Sequence, residues 1–195
     1  MGKIVAFMGK SSAGKDTLKK YILRFLNFKD IPQCTTRPMR DGETEGVEYK
    51  FKTETEFAEL LNAGKVLEYR TYNTQYGKWY YFTLKEDVDI NNDDIHITIC
   101  TLESYHSFVD QLGRKNIIPI YLYASGKDRL ERSIKRSSGD TKQMKEICRR
   151  FLQDEEDFSK DNLEELDIPI LDFCGGNAIM KVNQIEEYIL KELEK

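Results

Sequence analysis

Apolar and β-branched residues are concentrated in four short runs along the chain. The runs are Ile4–Met8, Ile95–Cys100, Ile117–Tyr123 and Ile168–Phe173. Strands that are covered on both faces are apolar nearly throughout, as these runs are. Pro119 and Pro169 lie near the starts of the last two runs, where a missing backbone N–H is tolerated. The pattern therefore predicts buried strands of a parallel sheet.

Between and after these runs, apolar residues recur at helical spacing. Lys15–Phe28 predicts a helix with one apolar stripe, and the end of the chain predicts another helix that packs into the core. The stripes are Leu18, Tyr21, Ile22 and Phe25 in the first segment, and Val182, Ile185, Ile189 and Leu193 in the last. A capping box at Thr53–Glu56 predicts a shorter helix that ends near Gly64. This alternation predicts an α/β fold with a parallel sheet flanked by helices.

Two polar segments interrupt the alternation of strands and helices. Residues 32–82 are rich in Thr, Tyr and Arg and predict a small insert with strands and one helix. Residues 125–160 are strongly charged and predict a helical segment. The remaining residues, 1–31, 83–124 and 161–195, would form the core of a single domain. Such an anatomy is typical of an enzyme that closes over a charged ligand, although a fold alone does not define a function.

Charge and composition exclude several classes of protein. The 195 residues include 30 Lys and Arg against 34 Asp and Glu, whereas nucleic-acid-binding proteins usually have a basic excess. No apolar run approaches the length of about 20 residues that spans a membrane, and no signal-peptide cleavage pattern follows the first run. The four cysteines are widely spaced, which favours reduced thiols over a metal site. We predict a soluble cytoplasmic monomer or homodimer that binds small molecules and neither nucleic acid nor membrane.

A glycine-rich loop follows the first predicted strand and opens the first predicted helix. From Gly9 to Thr17 it is G-K-S-S-A-G-K-D-T, which matches G-x-x-x-x-G-K in the context that this motif requires. Backbone N–H groups and the helix N-terminus would bind phosphates, and Lys15 would bridge the β- and γ-phosphate oxygens of ATP. The predicted ATP-binding residues are Gly9, Ser11, Ser12, Ala13, Gly14, Lys15, Asp16 and Thr17. The alternative is a Gly/Ser turn before a helix that contains lysine by chance.

Asp16 departs from the usual motif, which has Ser or Thr directly after the lysine to contact Mg²⁺. Mg²⁺ prefers oxygen ligands and keeps several waters, so a carboxylate could replace the hydroxyl directly or through water. An acidic residue favoured by the helix dipole is the alternative interpretation. Asp16 is therefore the candidate metal residue, with both interpretations open.

Two arginines lie in a loop-forming sequence after the phosphate loop. Residues 35–51 are T-T-R-P-M-R-D-G-E-T-E-G-V-E-Y-K-F, with Arg37 and Arg40 next to Pro and Gly. This spacing suits a loop that offers two guanidinium groups to one anion, with phenolic O–H groups from Tyr49 and Tyr76. The alternative is a solvated loop in which the arginines pair with Asp41, Glu43 and Glu45.

This run resembles the nucleoside-monophosphate-binding motif of guanylate kinases, and the resemblance extends over essentially the whole chain. It implies a P-loop NTPase core with small NMP-binding and lid subdomains. The implied activity is Mg²⁺-dependent transfer of phosphate from ATP to GMP, and also to dGMP. It also implies that Arg37, Arg40, Tyr49 and Tyr76 hold the GMP phosphate. Glu68 would accept hydrogen bonds from the guanine N1–H and amino group, and an ordinary surface charge is the alternative.

The resemblance also assigns arginines in the predicted lid. Arg132 and Arg136 lie four residues apart on one helix face, and Arg150 would reach in from the next helix. With Lys15 they form the predicted catalytic set, which binds ATP phosphates and stabilises the transferred group. The alternative is a solvated helix whose arginines pair with Glu131, Asp140 and Glu146.

The sequence departs from the family where guanylate kinases usually carry Asp-x-Asp. Those positions are Ile99 and Thr101 here, and two family serines are replaced by Gln33 and Lys78. We include Gln33, Lys78 and Thr101 in the predicted GMP-binding set and expect looser discrimination of the base. Two other functions are possible in principle, namely a kinase of another nucleotide or a sugar phosphate, and a non-catalytic binding module. The intact phosphate loop argues against the module.

Overall fold

The computed structural model describes residues 2–74, 77–164, 168–172 and 178–194 of the chain. The strands are β1 (Lys3–Met8), β2 (Lys29–Asp30), β3 (Cys34–Thr35), β4 (Lys50–Phe51), β5 (Val66–Thr74), β6 (Gly77–Leu84), β7 (Ile95–Ile99), β8 (Ile117–Tyr123) and β9 (Ile170–Asp172). The α-helices are α1 (Lys15–Phe25), α2 (Glu54–Asn62), α3 (Leu102–Leu112), α4 (Gly126–Lys135), α5 (Thr141–Asp157), α6 (Lys160–Glu164) and α7 (Ala178–Leu193). Short 3-10 turns lie at Lys85–Asp87 and Arg114–Asn116.

A mostly parallel sheet contains all four predicted apolar strands. Its order is β2-β7-β1-β8-β9, and β2 pairs with β7, and β8 with β9, in parallel. The first three predicted runs agree with β1, β7 and β8 to within about one residue at each end. Within the described part of the fourth run, Ile170–Asp172 forms a strand after Pro169, and Phe173 lies outside the described residues. This mixed α/β architecture with flanking helices confirms the predicted fold class.

The chain forms two compact units whose boundaries differ from the predicted segments. The first unit comprises Met1–Ile4, Asn27–Thr98 and Glu103–Ile117, and the second comprises Val5–Leu26, Ile99–Leu102 and Ile118–Lys195. The first unit contains the predicted insert together with β2 and α3. The second contains the phosphate loop and the predicted lid. The division into core, insert and lid remains a prediction.

In the first unit, a four-stranded sheet has the order β4-β3-β6-β5. The long strands β5 and β6 pair in an antiparallel hairpin, so their side chains alternate between two faces. Phe57 of α2 packs on one face, with ring centroids 4.3–5.5 Å from those of Tyr69, Tyr80 and Phe82. The opposite face carries Glu68, Arg70 and Tyr72 from β5 and Trp79, Tyr81 and Thr83 from β6.

Local signals set the ends of α2 as predicted. The Thr53 hydroxyl accepts from the Glu56 backbone N–H, and the Glu56 carboxylate accepts from the Thr53 backbone N–H. This reciprocal pair satisfies backbone donors that the first helical turn leaves without partners. The helix ends at Asn62, and Gly64 follows in the left-handed conformation at φ +66°.

The first helix of the second unit is shorter than predicted. It ends at Phe25 because Leu26 is extended. Leu18 and Ile22 are buried, but Phe25 is 60% exposed and stacks on Tyr21 with a centroid separation of 4.5 Å. The stripe of α1 is therefore buried at Leu18 and Ile22, whereas Phe25 at the end of the helix is exposed. In α7, Val182, Ile185 and Ile189 are buried, as the pattern predicted.

The cysteines in the described residues differ in burial. Cys34 and Cys100 are buried free thiols, whereas Cys148 is exposed, and Cys174 lies outside the described residues. Burial raises the pKa of Cys34 to about 12, so this thiol is not nucleophilic at neutral pH. Among the helices in the described ranges, none combines the length and apolarity needed to cross a bilayer.

Candidate active site

The loop between β1 and α1 has a backbone that its glycines make possible. Gly9 has φ +143°, and a Cβ at this position would lie 2.5 Å from the Leu122 carbonyl oxygen of β8. Gly14 caps the start of α1 with φ +108°, and Ser12 between them also has a positive φ, of +63°. L-residues with a side chain rarely adopt such angles, so the loop conformation is specified by these positions. It brings successive N–H groups to the N-terminus of α1, where an anion binds favourably.

Lys15 is the first residue of α1 and its ammonium lies inside this loop. Nζ donates to the carbonyl oxygens of Gly9 (2.6 Å) and Lys10 (3.0 Å). Burial lowers the pKa of Lys15 to about 8, an effect that Asp16 and Asp154 partly oppose. A poorly solvated cation beside backbone N–H groups is stabilised by an incoming anion. Lys15 is therefore placed to bind phosphate.

The three predicted lid arginines all contact the phosphate loop. Arg132 of α4 donates from Nη1 to the Ser12 carbonyl oxygen (3.2 Å), and Arg136, the C-terminal cap of α4, donates to the Ser12 hydroxyl. Arg150 of α5 donates from Nη2 to the Ser11 hydroxyl (2.9 Å). Three guanidinium groups and Lys15 thus surround one short loop.

The alternative pairing of these arginines with nearby carboxylates is not what the described contacts show. Glu131 forms an i,i+4 pair with Lys127, and Asp140 caps the N-terminus of α5. Glu146 pairs with Arg149, at 2.7 Å. Arg149 and its neighbour Arg150 therefore point to different partners, which identifies Arg150 as the arginine of this pair that contacts the phosphate loop.

Two carboxylates of α5 also contact the phosphate loop, and the sequence analysis missed them. The Ser11 backbone N–H donates to Asp154 Oδ2 (2.6 Å), and Lys10 forms an ion pair with Glu155 (2.5 Å). Arg129, only 3% exposed, lies 3.6 Å from Asp154 and also binds Glu155. The Asp154 carboxylate thus occupies a donor that would serve a phosphate oxygen. A run of acidic residues in a charged helix gives no signal for this contact.

We expect Asp154→Asn to tighten ATP binding about fivefold, because the carboxylate repels phosphates and competes for the Ser11 N–H. Asparagine keeps a side-chain oxygen for that N–H while removing the charge. Calorimetric titration with ATP measures the dissociation constant. The exposed neighbour Glu156→Gln is the matched control and should leave the constant within about twofold. Weaker ATP binding by Asp154→Asn would show that the carboxylate contributes to binding.

In the first unit, Arg37 is buried and already paired. Nη1 and Nη2 donate to Oε2 and Oε1 of Glu43 at 2.9 and 2.8 Å, in a two-pronged ion pair. Its guanidinium also lies 5.4 Å from the Tyr49 ring centroid and 5.5 Å from that of Phe51. Burial opposes the charge of Arg37, but the hydrogen bonds and charges of Glu43 and Tyr81 together outweigh burial and raise the pKa of Arg37. The alternative pairing considered for this loop therefore exists for Arg37 with Glu43.

Arg40 differs from Arg37 in both exposure and partners. Its side chain is exposed, and its contacts among the described residues are made by its backbone. The Arg40 N–H donates to Glu43 Oε2 (2.8 Å), and the Glu43 N–H donates to the Arg40 carbonyl oxygen (3.1 Å). Glu43 thereby fixes the loop and leaves the Arg40 guanidinium available to an anion.

Glu68 is buried in the first unit, with 5% exposure, so the alternative of an ordinary surface charge was wrong. Its Oε1 accepts from the Thr83 hydroxyl and its Oε2 from the Ser104 hydroxyl, both at 2.6 Å. Arg70 Nε lies 3.8 Å from Oε2 and supplies a compensating positive charge. Each carboxylate oxygen has a second lone pair beyond these bonds.

An aromatic cluster lies on the same sheet face as Glu68. The Tyr81 ring makes edge contacts with Tyr49 (5.6 Å) and Tyr72 (5.4 Å), and its hydroxyl is hydrogen-bonded to Arg37. Through Tyr81, the predicted residues Arg37 and Tyr49 contact the sheet face that carries Glu68. The sequence analysis missed Arg70, Tyr81, Thr83 and Ser104, although strand alternation placed three of them on this face.

The structure does not bring Lys78 together with Glu68. Its ammonium lies 5.1 Å from the Tyr80 ring centroid, on the face of the sheet that packs against α2. The role of Lys78 in the predicted GMP-binding set remains a prediction from the resemblance. Gln33 is half-buried before β3, where its carbonyl oxygen accepts from the Lys50 N–H.

Two further residues of the predicted GMP-binding set lie outside the described part of the first unit. Tyr76 lies outside the described residues. Thr101 is half-buried directly after β7 and belongs to the second unit. Their roles remain predictions from the resemblance.

A comparison with protein families decides the classification. The model of the family described as Guanylate kinase matches residues 1–173, which is most of the chain. The chain belongs to the guanylate kinase family. Two curated guanylate kinases, from Streptococcus pyogenes serotype M3 (strain ATCC BAA-595 / MGAS315) and serotype M18 (strain MGAS8232), are each 40% identical to it over 77 residues. That stretch covers 38% of this chain and only 36% of the length of each relative.

A solved structure supports the fold of this guanylate kinase family member. The crystal structure of guanylate kinase from Anaplasma phagocytophilum matches with a TM-score of 0.66 and covers 100% of this chain and 87% of that chain. The two sequences are 18% identical. At this identity the likeness concerns the fold alone.

Proposed function

We propose that this guanylate kinase family member transfers the γ-phosphoryl group of ATP to GMP, and also to dGMP, giving ADP and the diphosphate. The observation that supports this acceptor best is the buried Glu68 carboxylate with both oxygens held by hydroxyls. Guanine presents its N1–H and 2-amino group side by side, and two carboxylate oxygens are the complementary acceptors. Adenine has no N1–H and cannot make this pair of hydrogen bonds.

In the proposed complex, Arg40 binds the GMP phosphate most directly, since its exposed guanidinium has no competing partner among the described contacts. Tyr49 adds a phenolic group, as Tyr76 does by resemblance. Arg37 contributes its charge while its pairing with Glu43 fixes the shape of the loop. Gln33, Lys78 and Thr101 are retained in the proposed GMP site on the resemblance alone.

The proposed ATP site is the phosphate loop with Lys15, Arg132, Arg136 and Arg150. Bound phosphates would replace Ser11 and Ser12 as partners of the three arginines. Phosphoryl transfer passes through a loose transition state with charge spread over the equatorial oxygens, so positioning and electrostatic stabilisation supply most of the rate. Lys15 and the arginines would neutralise the charge on the transferred group.

We propose Mg²⁺ as the cofactor and Asp16 as the residue that holds it. Mg²⁺ at nucleotide sites is bound by substrate phosphates, waters and one or two carboxylates rather than by a protein cage. Asp16 fits this donor set, since it is exposed in the first turn of α1 next to Lys15. When bound with ATP, Mg²⁺ would offset charge on the β- and γ-phosphate oxygens.

An assay of ADP formation over a panel of acceptors tests the function. We expect GMP and dGMP to react fastest, with AMP and a sugar phosphate at least about tenfold slower in kcat/KM. Asp16 in place of the usual hydroxyl is the observation that favours the second candidate, a kinase of another acceptor. Reaction of a sugar phosphate with GMP and dGMP inert would establish that candidate. Binding of GMP with no ADP formed would instead establish a non-catalytic module.

We expect Arg40→Ala to raise the KM for GMP about 10- to 100-fold, since a hydrogen bond to a charged group contributes about 1.5–3 kcal/mol. The KM for ATP should change by less than about twofold. Steady-state kinetics with each nucleotide varied in turn gives both values. Lys65→Ala, another exposed cation of the first unit, is the control. Equal losses for both nucleotides would mean that Arg40 has a structural role.

A cytoplasmic location, the absence of nucleic-acid and membrane partners, and a monomeric or homodimeric state remain predictions. The charge balance favours the absence of nucleic-acid partners, and the cysteine spacing favours the cytoplasm. The short apolar runs favour the absence of membrane partners.

A further inference from the structure

Two hydroxyls from distant parts of the first unit meet at one carboxylate. Thr83 of β6 donates to Glu68 Oε1, and Ser104 of α3, 36 residues away from Glu68 in sequence, donates to Oε2. Both hydroxyl-bearing residues are fully buried, with 0% exposure. One donor on each oxygen fixes the plane of the carboxylate, whose terminal torsion otherwise has a broad distribution.

We propose that Thr83 and Ser104 are positioning residues that orient the Glu68 carboxylate for recognition of guanine. This inference rests on the proposed function. The two hydroxyls use one lone pair of each oxygen and hold the remaining lone pairs in a single orientation. The N1–H and 2-amino group of guanine require two acceptors in one plane.

Arg70 makes this restraint necessary. Its Nε lies 3.8 Å from Glu68 Oε2, which is close enough for an ion pair but too long for a hydrogen bond. A guanidinium and a carboxylate prefer a two-pronged geometry, as Arg37 and Glu43 adopt in the same unit. Without the hydroxyls, Glu68 would turn toward Arg70, and its oxygens would be withdrawn from the base. The hydroxyls thus keep Glu68 as an acceptor for ligand donors.

Comparison of GMP with IMP separates positioning from a merely structural role. IMP keeps the N1–H but lacks the 2-amino group, so the ratio of kcat/KM for the two acceptors reports whether both oxygens are aligned. Thr83→Val and Ser104→Ala remove one hydroxyl each with little change of volume. We expect each variant to lower kcat/KM for GMP about tenfold and the GMP-to-IMP ratio at least about threefold, with KM for ATP unchanged.

Conservative and matched variants complete the experiment. Thr83→Ser retains a hydroxyl and should restore the ratio to within about twofold of the unchanged protein. Thr71→Val, on the opposite face of β5, and Ser107→Ala, on α3, should leave the ratio unchanged. Thermal unfolding of every variant measures stability, and if Thr83→Val does not fold, Ser104→Ala carries the test.

The outcomes distinguish this inference from the function on which it rests. An unchanged protein that does not prefer GMP over AMP overturns the proposed acceptor. An unchanged protein that prefers GMP, with variants that lose stability but keep the GMP-to-IMP ratio, overturns the positioning role alone. A lowered ratio that Thr83→Ser restores supports it.

Discussion

Lys15→Ala is expected to lower turnover at saturating ATP and GMP by at least about a hundredfold. The ammonium lies within the phosphate loop, where it donates to the carbonyl oxygens of Gly9 and Lys10. As the lysine that ends the phosphate-binding motif, it is placed to reach the β- and γ-phosphates of ATP. ADP release in a coupled assay measures the effect. Lys20→Ala, an exposed position on the same helix, should remain within about twofold, and near-normal turnover of Lys15→Ala would contradict the assigned role.

The same residue predicts a pH dependence. Burial lowers the pKa of Lys15 from its ordinary value of 10.5 to about 8, so the ammonium is lost as pH rises through 8 in the nucleotide-free protein. Because kcat/KM reports ionisations of the free enzyme, kcat/KM for ATP should fall about tenfold per pH unit above pH 8. Arginine keeps its charge over this pH range, so kcat/KM for ATP of the Lys15→Arg variant should not fall above pH 8. If kcat/KM for ATP does not change between about pH 7 and 9.5, Lys15 does not bind ATP as a cation that titrates in this range.

Glu68→Gln is expected to lower kcat/KM for GMP by roughly 10²- to 10³-fold and to leave KM for ATP within about twofold. The amide replaces one acceptor by a donor, which would face a donor of guanine, and it removes the charge that strengthens both hydrogen bonds. The preference for GMP over AMP should fall with it, as measured by assays with each acceptor.

Burial makes a control for folding necessary with Glu68. The carboxylate also accepts from Thr83 and Ser104 and faces Arg70, so its replacement affects stability as well as recognition. Glu54→Gln, exposed at the start of α2, controls for loss of a charge in the same unit. An equal loss of activity with GMP and AMP in a folded Glu68→Gln variant would show that the residue does not recognise the base.

Much of the fold could be predicted because buried elements carry strong local patterns. The apolar runs at β1, β7 and β8 and the capping box of α2 are read within a few residues of sequence. The phosphate loop was equally predictable from the sequence, since its glycines occupy backbone angles that other residues avoid. The exposure of Phe25 could not be predicted, because periodicity cannot tell how far a neighbouring element extends over a helix.

The acceptor site was harder to predict because it depends on register and on distant contacts. A register shift between Val66 and Glu68 and the hairpin geometry decide which residues of β6 face Glu68. Thr83 and Ser104 carry common hydroxyls, and only tertiary packing brings them to one carboxylate. The pairing of Arg37 with Glu43 was considered from the sequence, but its two-pronged geometry required the structure.

The contacts of Glu43 have a consequence for the thermodynamics of acceptor binding. The Glu43 carboxylate accepts hydrogen bonds from the Arg37 guanidinium and the Arg40 backbone N–H, and these bonds restrain the segment from Arg37 to Glu43. Conformational entropy of this segment is thus lost when the protein folds rather than when the proposed acceptor, GMP, binds. Association with GMP should then show the rapid, nearly rigid behaviour of a prearranged surface, with Arg40 as its one adaptable cation.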